Sequence, residues 1–250
     1  MPHFSSDGVQ IAYEIAGEGD PVLLIHGFAS NSAINWVSTG WLKMLIEAGR
    51  QVITIDNRGH GDSEKLYDPG SYEAPEMAED SRRLLDHLGI ERADVMGYSM
   101  GARITTFLAV NQPGRVRSAV IAGMAGNIFK GVDTSDVIAD ALLAENVDDI
   151  ALPAAKAFRE FADRTGGDRQ ALAACMRAGR PALSHDVLAT ISCPVLVVAG
   201  GEDTIAGPVE PLVDAIPGAA GLTLPGRDHM KAVGDMTYKR GVIAFLGAGQ

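Results

Sequence analysis

The 250 residues contain only two cysteines, Cys175 and Cys193, and neither sits in a metal-ligand spacing. A disulfide between them is not expected in a reducing compartment. Long hydrophobic runs are missing too, and none approaches the ~18 residues that a membrane-spanning helix requires. The opening stretch MPHFSSDGVQIAYEIAGEGD is polar and alternating, without the charged-then-apolar layout of a signal peptide. A cytoplasmic location with no membrane partner is therefore expected. Basic residues are in short supply: 21 Lys and Arg stand against 32 Asp and Glu, a formal net charge of −11. Binding to a phosphate backbone favours a basic face, so a nucleic-acid partner is not expected. No repeat or low-complexity segment stands out. What is present is 46% hydrophobic and 21% charged, a globular composition whose length suits one large α/β domain.

Short β-rich runs alternate with helical patterns, the layout of a mostly parallel sheet covered on both faces. Residues 9–16 alternate in polarity and read as an antiparallel edge or hairpin strand with one wet face. Residues 21–27, 51–56, 93–98, 117–123 and 193–200 are continuous apolar runs, as buried parallel strands should be, and 221–226 is a shorter candidate. Helices are expected near 36–48, 75–88, 100–111, 207–215 and 231–246, the first interrupted by Gly40. The stretch from 127 to 183 breaks the rhythm with helical patterns alone, such as DVIADALLAENV and AAKAFREFADR. It reads as a helical cap inserted into a core made of residues 1–126 and 184–250. The alternative is that these helices are ordinary crossovers covering the sheet, which holds best for the last one, near 168–178.

ADVMGYSMGARITTFLAV, residues 93–110, places Gly97, Ser99 and Gly101 at alternate positions where a strand becomes a helix. With 29 Gly and 13 Ser in the chain, a G-x-S-x-G match arises by chance in roughly one such sequence in six. The motif needs partners. In parallel sheets, ligand sites collect at the carboxyl ends of the strands. Beyond the 193–200 strand lies Asp203, and beyond the 221–226 strand lies His229. Nucleophile, acid and base thus follow three different strands in the order Ser, Asp, His, the order of the strand–elbow–helix hydrolases. Glu202 and Asp228 are rival carboxylates, one beside Asp203 and one beside His229. The N–H of Met100, at the start of the helix, is aimed where an oxyanion would form.

Two further stretches extend the pattern. LLIHGFAS puts His26, Gly27 and Phe28 after an early strand, and DNRGHGDS (56–63) is a glycine-rich loop after the next. On these motifs the chain resembles the α/β-hydrolase-fold serine hydrolases from about residue 9 to 246. The resemblance is weakest in the cap. It implies an α/β-hydrolase fold and a Ser99–His229–Asp203 triad. It also implies an oxyanion hole from the N–H groups of Phe28 and Met100, with His26 and His60 in structural roles. It implies no metal and no organic cofactor, and hydrolysis of a small-molecule ester or lactone through an acyl-enzyme. Carbon–carbon bond hydrolysis, or peracid formation with hydrogen peroxide, would use the same residues, and a non-catalytic ligand receptor is the alternative from another class. Serine at position 99 excludes chemistry that needs a nucleophilic aspartate. Asp56 and Arg58 are expected to tie the 56–63 loop together, and His3, His87 and His185 to be solvent or packing residues. The cap carries Asp133, Asp136, Asp140, Asp148 and Asp149, then Arg159, Arg164, Arg169, Arg177 and Arg180. One of these arginines could pair a substrate carboxylate.

Overall fold

A computed structural model describes residues 1–131 and 135–248 of the chain, so Asp133 lies outside the described residues. Among the described residues eight strands form one sheet: β1 (His3–Ser6), β2 (Val9–Ala16), β3 (Asp20–Ile25), β4 (Arg50–Ile55), β5 (Ala93–Tyr98), β6 (Val116–Ala122), β7 (Val195–Gly200) and β8 (Ala220–Leu224). Their order is β1-β2-β4-β3-β5-β6-β7-β8. β2 runs antiparallel to both neighbours, and every pairing from β4 to β8 is parallel.

Side-chain alternation divides the core in two. Leu23, Ile25, Ile53, Ile55, Val95, Ala119, Ile121 and Val197 face one side, which α2 (Ala74–His87) and α3 (Met100–Asn111) cover. Val22, Leu24, Val52, Met96, Val120, Leu196 and Val198 face the other, under α1 (Trp41–Glu47) and α10 (Met236–Gly247). Burial on both faces is why these strands read as unbroken apolar runs.

β2 is antiparallel as expected, but its burial does not alternate. Ile11 and Ala12 are both buried, while Ile15 is 44% exposed. The strand changes partners midway: residues 9–12 pair with β1 and 13–16 with β4. β1 itself escapes notice in the sequence, because HFSS has only one large apolar residue. Gly40, with φ of 79°, separates a π-helical turn at Ala33–Val37 from α1. The helix expected near 231–246 is likewise two: α9 (His229–Ala232), then α10 behind the Asp235 cap.

Between β6 and β7 lie α4 (Ser135–Leu143), α5 (Pro153–Thr165), α6 (Arg169–Arg177) and the short α7 (His185–Leu188). α4 packs on both α5 and α6, and α6 also meets the Pro69–Tyr72 turn. The remaining helix, α8 (Glu210–Ala215), follows β7. Among the described residues no helix is long and apolar enough to cross a membrane.

Candidate active site

The strand–helix junction at Ser99 is backbone-strained. Its φ of 56° and ψ of −114° lie where non-glycine residues are rare, at a cost on the order of 1–3 kcal/mol. Two glycines make the junction possible. A Cβ on Gly97 would stand 2.1 Å from Gly101 O, and one on Gly101 would stand 2.0 Å from Ile25 O. The Ser99 N–H donates to Ala122 O at 2.7 Å, tying the turn to β6.

His229 and Asp203 come from the ends of β8 and β7 to meet it. His229 Nε2 lies 3.0 Å from Ser99 Oγ, and Nδ1 lies 2.8 Å from Asp203 Oδ2. A carboxylate only accepts, so Nδ1 carries the proton and Nε2 is left to accept from the serine hydroxyl. The Asp203 side chain is wholly buried, and that of His229 is 14% exposed. Asp203 Oδ1 accepts from the N–H groups of Ile205 and Ala206 at 3.0 and 2.9 Å, which fixes the carboxylate independently of the histidine. The rival carboxylates do other work. Asp228 caps α9, accepting from the N–H groups of Met230 and Lys231, and Glu202 is exposed.

The loop after β3 closes over the elbow. Gly27 approaches so closely that a Cβ there would stand 3.3 Å from Ser99 Cβ, and Ala29 takes a positive φ of 55° as the chain turns away. Asn35 Oδ1 accepts from the Gly27 N–H at 3.1 Å. Among the described residues, the N–H groups of Phe28 and Met100 donate to no protein acceptor. Both are therefore free for an anion.

The family model for the alpha/beta hydrolase fold matches residues 20–146, just over half of the chain. The chain belongs to the α/β-hydrolase family. A non-heme chloroperoxidase of Kitasatospora aureofaciens is 35% identical over 116 residues, 46% of this chain and 40% of that protein. The 2-hydroxymuconate semialdehyde hydrolase of Pseudomonas putida is 37% identical over 113 residues, 45% of this chain and 39% of that protein. The aligned part thus spans about two fifths of the length of these curated relatives. The crystal structure of the enol-lactonase from Burkholderia xenovorans LB400 matches with a TM-score of 0.80, covering 99% of both chains at 21% identity, a likeness of fold.

In this α/β hydrolase the two early histidines are buried and bonded locally. His26 Nδ1–H donates to Gly27 O at 2.7 Å and Nε2 accepts from the Asn57 N–H at 2.9 Å. His60 Nδ1–H donates to Arg58 O at 2.9 Å. Burial lowers both from the usual histidine range, His60 to about 3, so both are neutral. Asp56 holds the 56–63 loop as expected, accepting from the N–H of Asp62, and also bridges to the Ser32 N–H in the loop after β3. Arg58 instead fastens that loop to α2, donating twice to Asp80 at 2.7 Å. His3 Nε2–H donates to Asp62 O, His87 stacks on Phe4, and His185 stacks on Phe129.

Sequence reasoning passed over two contributors. Asn35 carries no motif signal, because its contact with Gly27 spans a loop. Tyr98 is visible as the variable residue of G-x-S. Its hydroxyl donates to His229 O at 2.5 Å, and its ring lies 5.4 Å from the imidazole. The residue therefore braces His229.

Proposed function

We propose that the chain hydrolyses a carboxylic ester or lactone through an acyl-enzyme on Ser99. The observation that carries this reading is the unbroken relay from a strained serine to a buried, doubly anchored carboxylate. Ser99 Oγ attacks the carbonyl carbon as its proton passes to His229 Nε2. Asp203 holds the tautomer and stabilises the imidazolium. The negative charge that forms on the carbonyl oxygen is met by the N–H groups of Phe28 and Met100. Each such donor is worth about 2.7–4 kcal/mol of barrier. The imidazolium then protonates the departing alkoxide, water attacks the acyl carbon through the same base, and Ser99 is restored.

Residues 127–183 act as the cap in this reading. Three contacts support the role: Thr165 Oγ1 donates to Ala29 O at 2.8 Å, the Phe158 ring lies 5.9 Å from Phe28, and Cys175 Sγ lies 3.8 Å from Met100 Sδ. Helices α5 and α6 therefore rest on the very residues that would bind the oxyanion, where they can shape substrate choice.

The test is a screen of the purified chain across acyl esters, lactones and diketones, with fluorophosphonate labelling of Ser99 and Ser99→Ala as control. Ester or lactone turnover that Ser99→Ala abolishes supports the reading. Release of a ketone without ester turnover would move it to carbon–carbon hydrolysis, and a chain that neither labels nor turns over would be a receptor.

A further inference from the structure

Two arginines stand beside the elbow without a carboxylate. Arg103, one turn into α3 and four residues after Ser99, is buried. Its Nη1 donates to Pro181 O at 2.8 Å, and its buried Nε has no partner. Arg180, just beyond α6, is half-buried. Its Nη1 donates to Met176 O at 3.2 Å and reaches Met176 Sδ at 3.1 Å, while Nη2 faces Met100 Sδ and Cys175 Sγ, each at 3.9 Å. The guanidinium lies 5.6 Å from the centre of the Phe28 ring.

Most of the protein's other arginines differ, although Arg92 and Arg164 also find no carboxylate: Arg92 donates to Val116 O and Arg164 lies over the Phe161 ring. Arg58, Arg117, Arg159 and Arg177 each reach a carboxylate. Among the described residues, Arg103 and Arg180 reach none. Burial, and after it the neighbouring Arg180 charge, push Arg103 down to about 10. Sulfur atoms are weak acceptors, so most of the Arg180 donor capacity is unused. A guanidinium fork matches a carboxylate bidentately.

We propose that Arg180 recognises a carboxylate carried by the substrate, making the preferred substrate an acidic ester or lactone. The proposal rests on the acyl-transfer reading and names its substrate class. The location supports it, because Arg180 touches the side chains of Phe28 and Met100, whose N–H groups are assigned to the oxyanion. A carboxylate a few atoms from the scissile carbonyl would fall between. The surroundings sharpen the choice: with a net charge of −11, the molecule repels anions except where cations are left uncompensated.

The test compares 4-nitrophenyl butyrate with 4-nitrophenyl hemisuccinate, which share a leaving group and differ in a carboxylate. The readout is the ratio of kcat/KM for the acidic ester to that for the neutral one. Arg180→Gln is expected to lower this ratio roughly 10- to 100-fold, mainly through KM, as loss of a charge-assisted pair predicts. Arg180→Lys should fall between, keeping the charge and losing the fork. Arg177→Gln removes an exposed arginine paired with Asp140 and should leave the ratio near the wild-type value. An unchanged ratio in Arg180→Gln overturns the proposal, including the case in which both esters slow equally, as for a purely structural or oxyanion role. Arg180→Met, suited to the Met and Phe surroundings, carries the same reading should the glutamine variant fail to fold. If the wild type turns over neither ester, the acyl-transfer reading fails, and the anion site is judged by calorimetry. Monomethyl succinate should then bind Ser99→Ala at least tenfold more tightly than Ser99→Ala/Arg180→Gln. Equal affinity, or no binding to either, overturns it.

Discussion

Three carboxylates compete in the sequence for the place beside His229, and geometry separates them. Asp203 is buried on His229 Nδ1, whereas Asp228 faces backbone amides at the start of α9. Asp203→Asn keeps the volume but offers an amide N–H to the imidazole, favouring the wrong tautomer, and a loss of roughly 10⁴-fold in kcat is expected. Asp228→Asn should stay near wild type, because asparagine caps a helix about as well as aspartate, and Glu202→Gln should as well. Steady-state kinetics on one neutral ester checks all three, and a greater loss in Asp228→Asn than in Asp203→Asn would reverse the assignment. Ser99, Asp203 and His229 were legible in the sequence because each follows a strand end, a position that pattern reveals. Asn35 and Arg180 were not singled out. Their partners, Gly27 and the Phe28–Met100 pair, lie across loops, and no periodicity reports which side chains a loop brings together.

At the scale of elements, unbroken apolar runs located β3 to β7, since strands buried on both faces leave no room for polar alternation. Boundaries turn on single residues: the Gly40 interruption of one helix was visible in the sequence, whereas the break at Gly234 and the Asp235 cap in another was not. The same sensitivity governs the elbow, where α3 presses on the end of β3. A methyl on Gly101 would lie 2.0 Å from Ile25 O, so strand and helix must separate. Gly101→Ala is expected to lose at least about 1–3 kcal/mol of stability, the usual penalty of overpacking. Gly114→Ala, at a position with nothing within 4 Å of the added Cβ, should fall within about 0.5 kcal/mol of wild type. Urea midpoints at constant slope compare the two, and equal stability would mean the elbow has slack that its geometry denies.

For the whole molecule, composition located the acidic surface but not the positive site within it, because net charge says nothing about which charges are left unpaired. Acid sensitivity shows the same difference between inventory and placement. His26 and His60 are held neutral by burial, His60 to about pH 3, while an unfolded chain protonates histidine near 6.5. Above pH 6.5 neither state takes up a proton at these sites, and stability does not depend on them. As pH falls below 6.5 the unfolded chain binds protons that the fold refuses, so stability is lost, by up to about 1.4 kcal/mol per pH unit for each histidine. Carboxylates begin to contribute only nearer pH ~4, which leaves pH 6 to 5 as the window to measure. Unfolding free energies from urea titrations across it should fall less steeply in His60→Asn than in wild type, by up to about 1.4 kcal/mol per pH unit, whatever the variant's stability at pH 7. This loss is distinct from the acid limb of activity. The proposed base step needs a neutral His229, so kcat/KM should drop about tenfold per pH unit in acid and recover fully on return to neutral pH. His60→Asn should therefore change the stability slope without moving that limb. A slope identical to wild type would mean that His60 is protonated inside the fold, and that burial with the Phe28 ring 5.7 Å away does not keep it neutral.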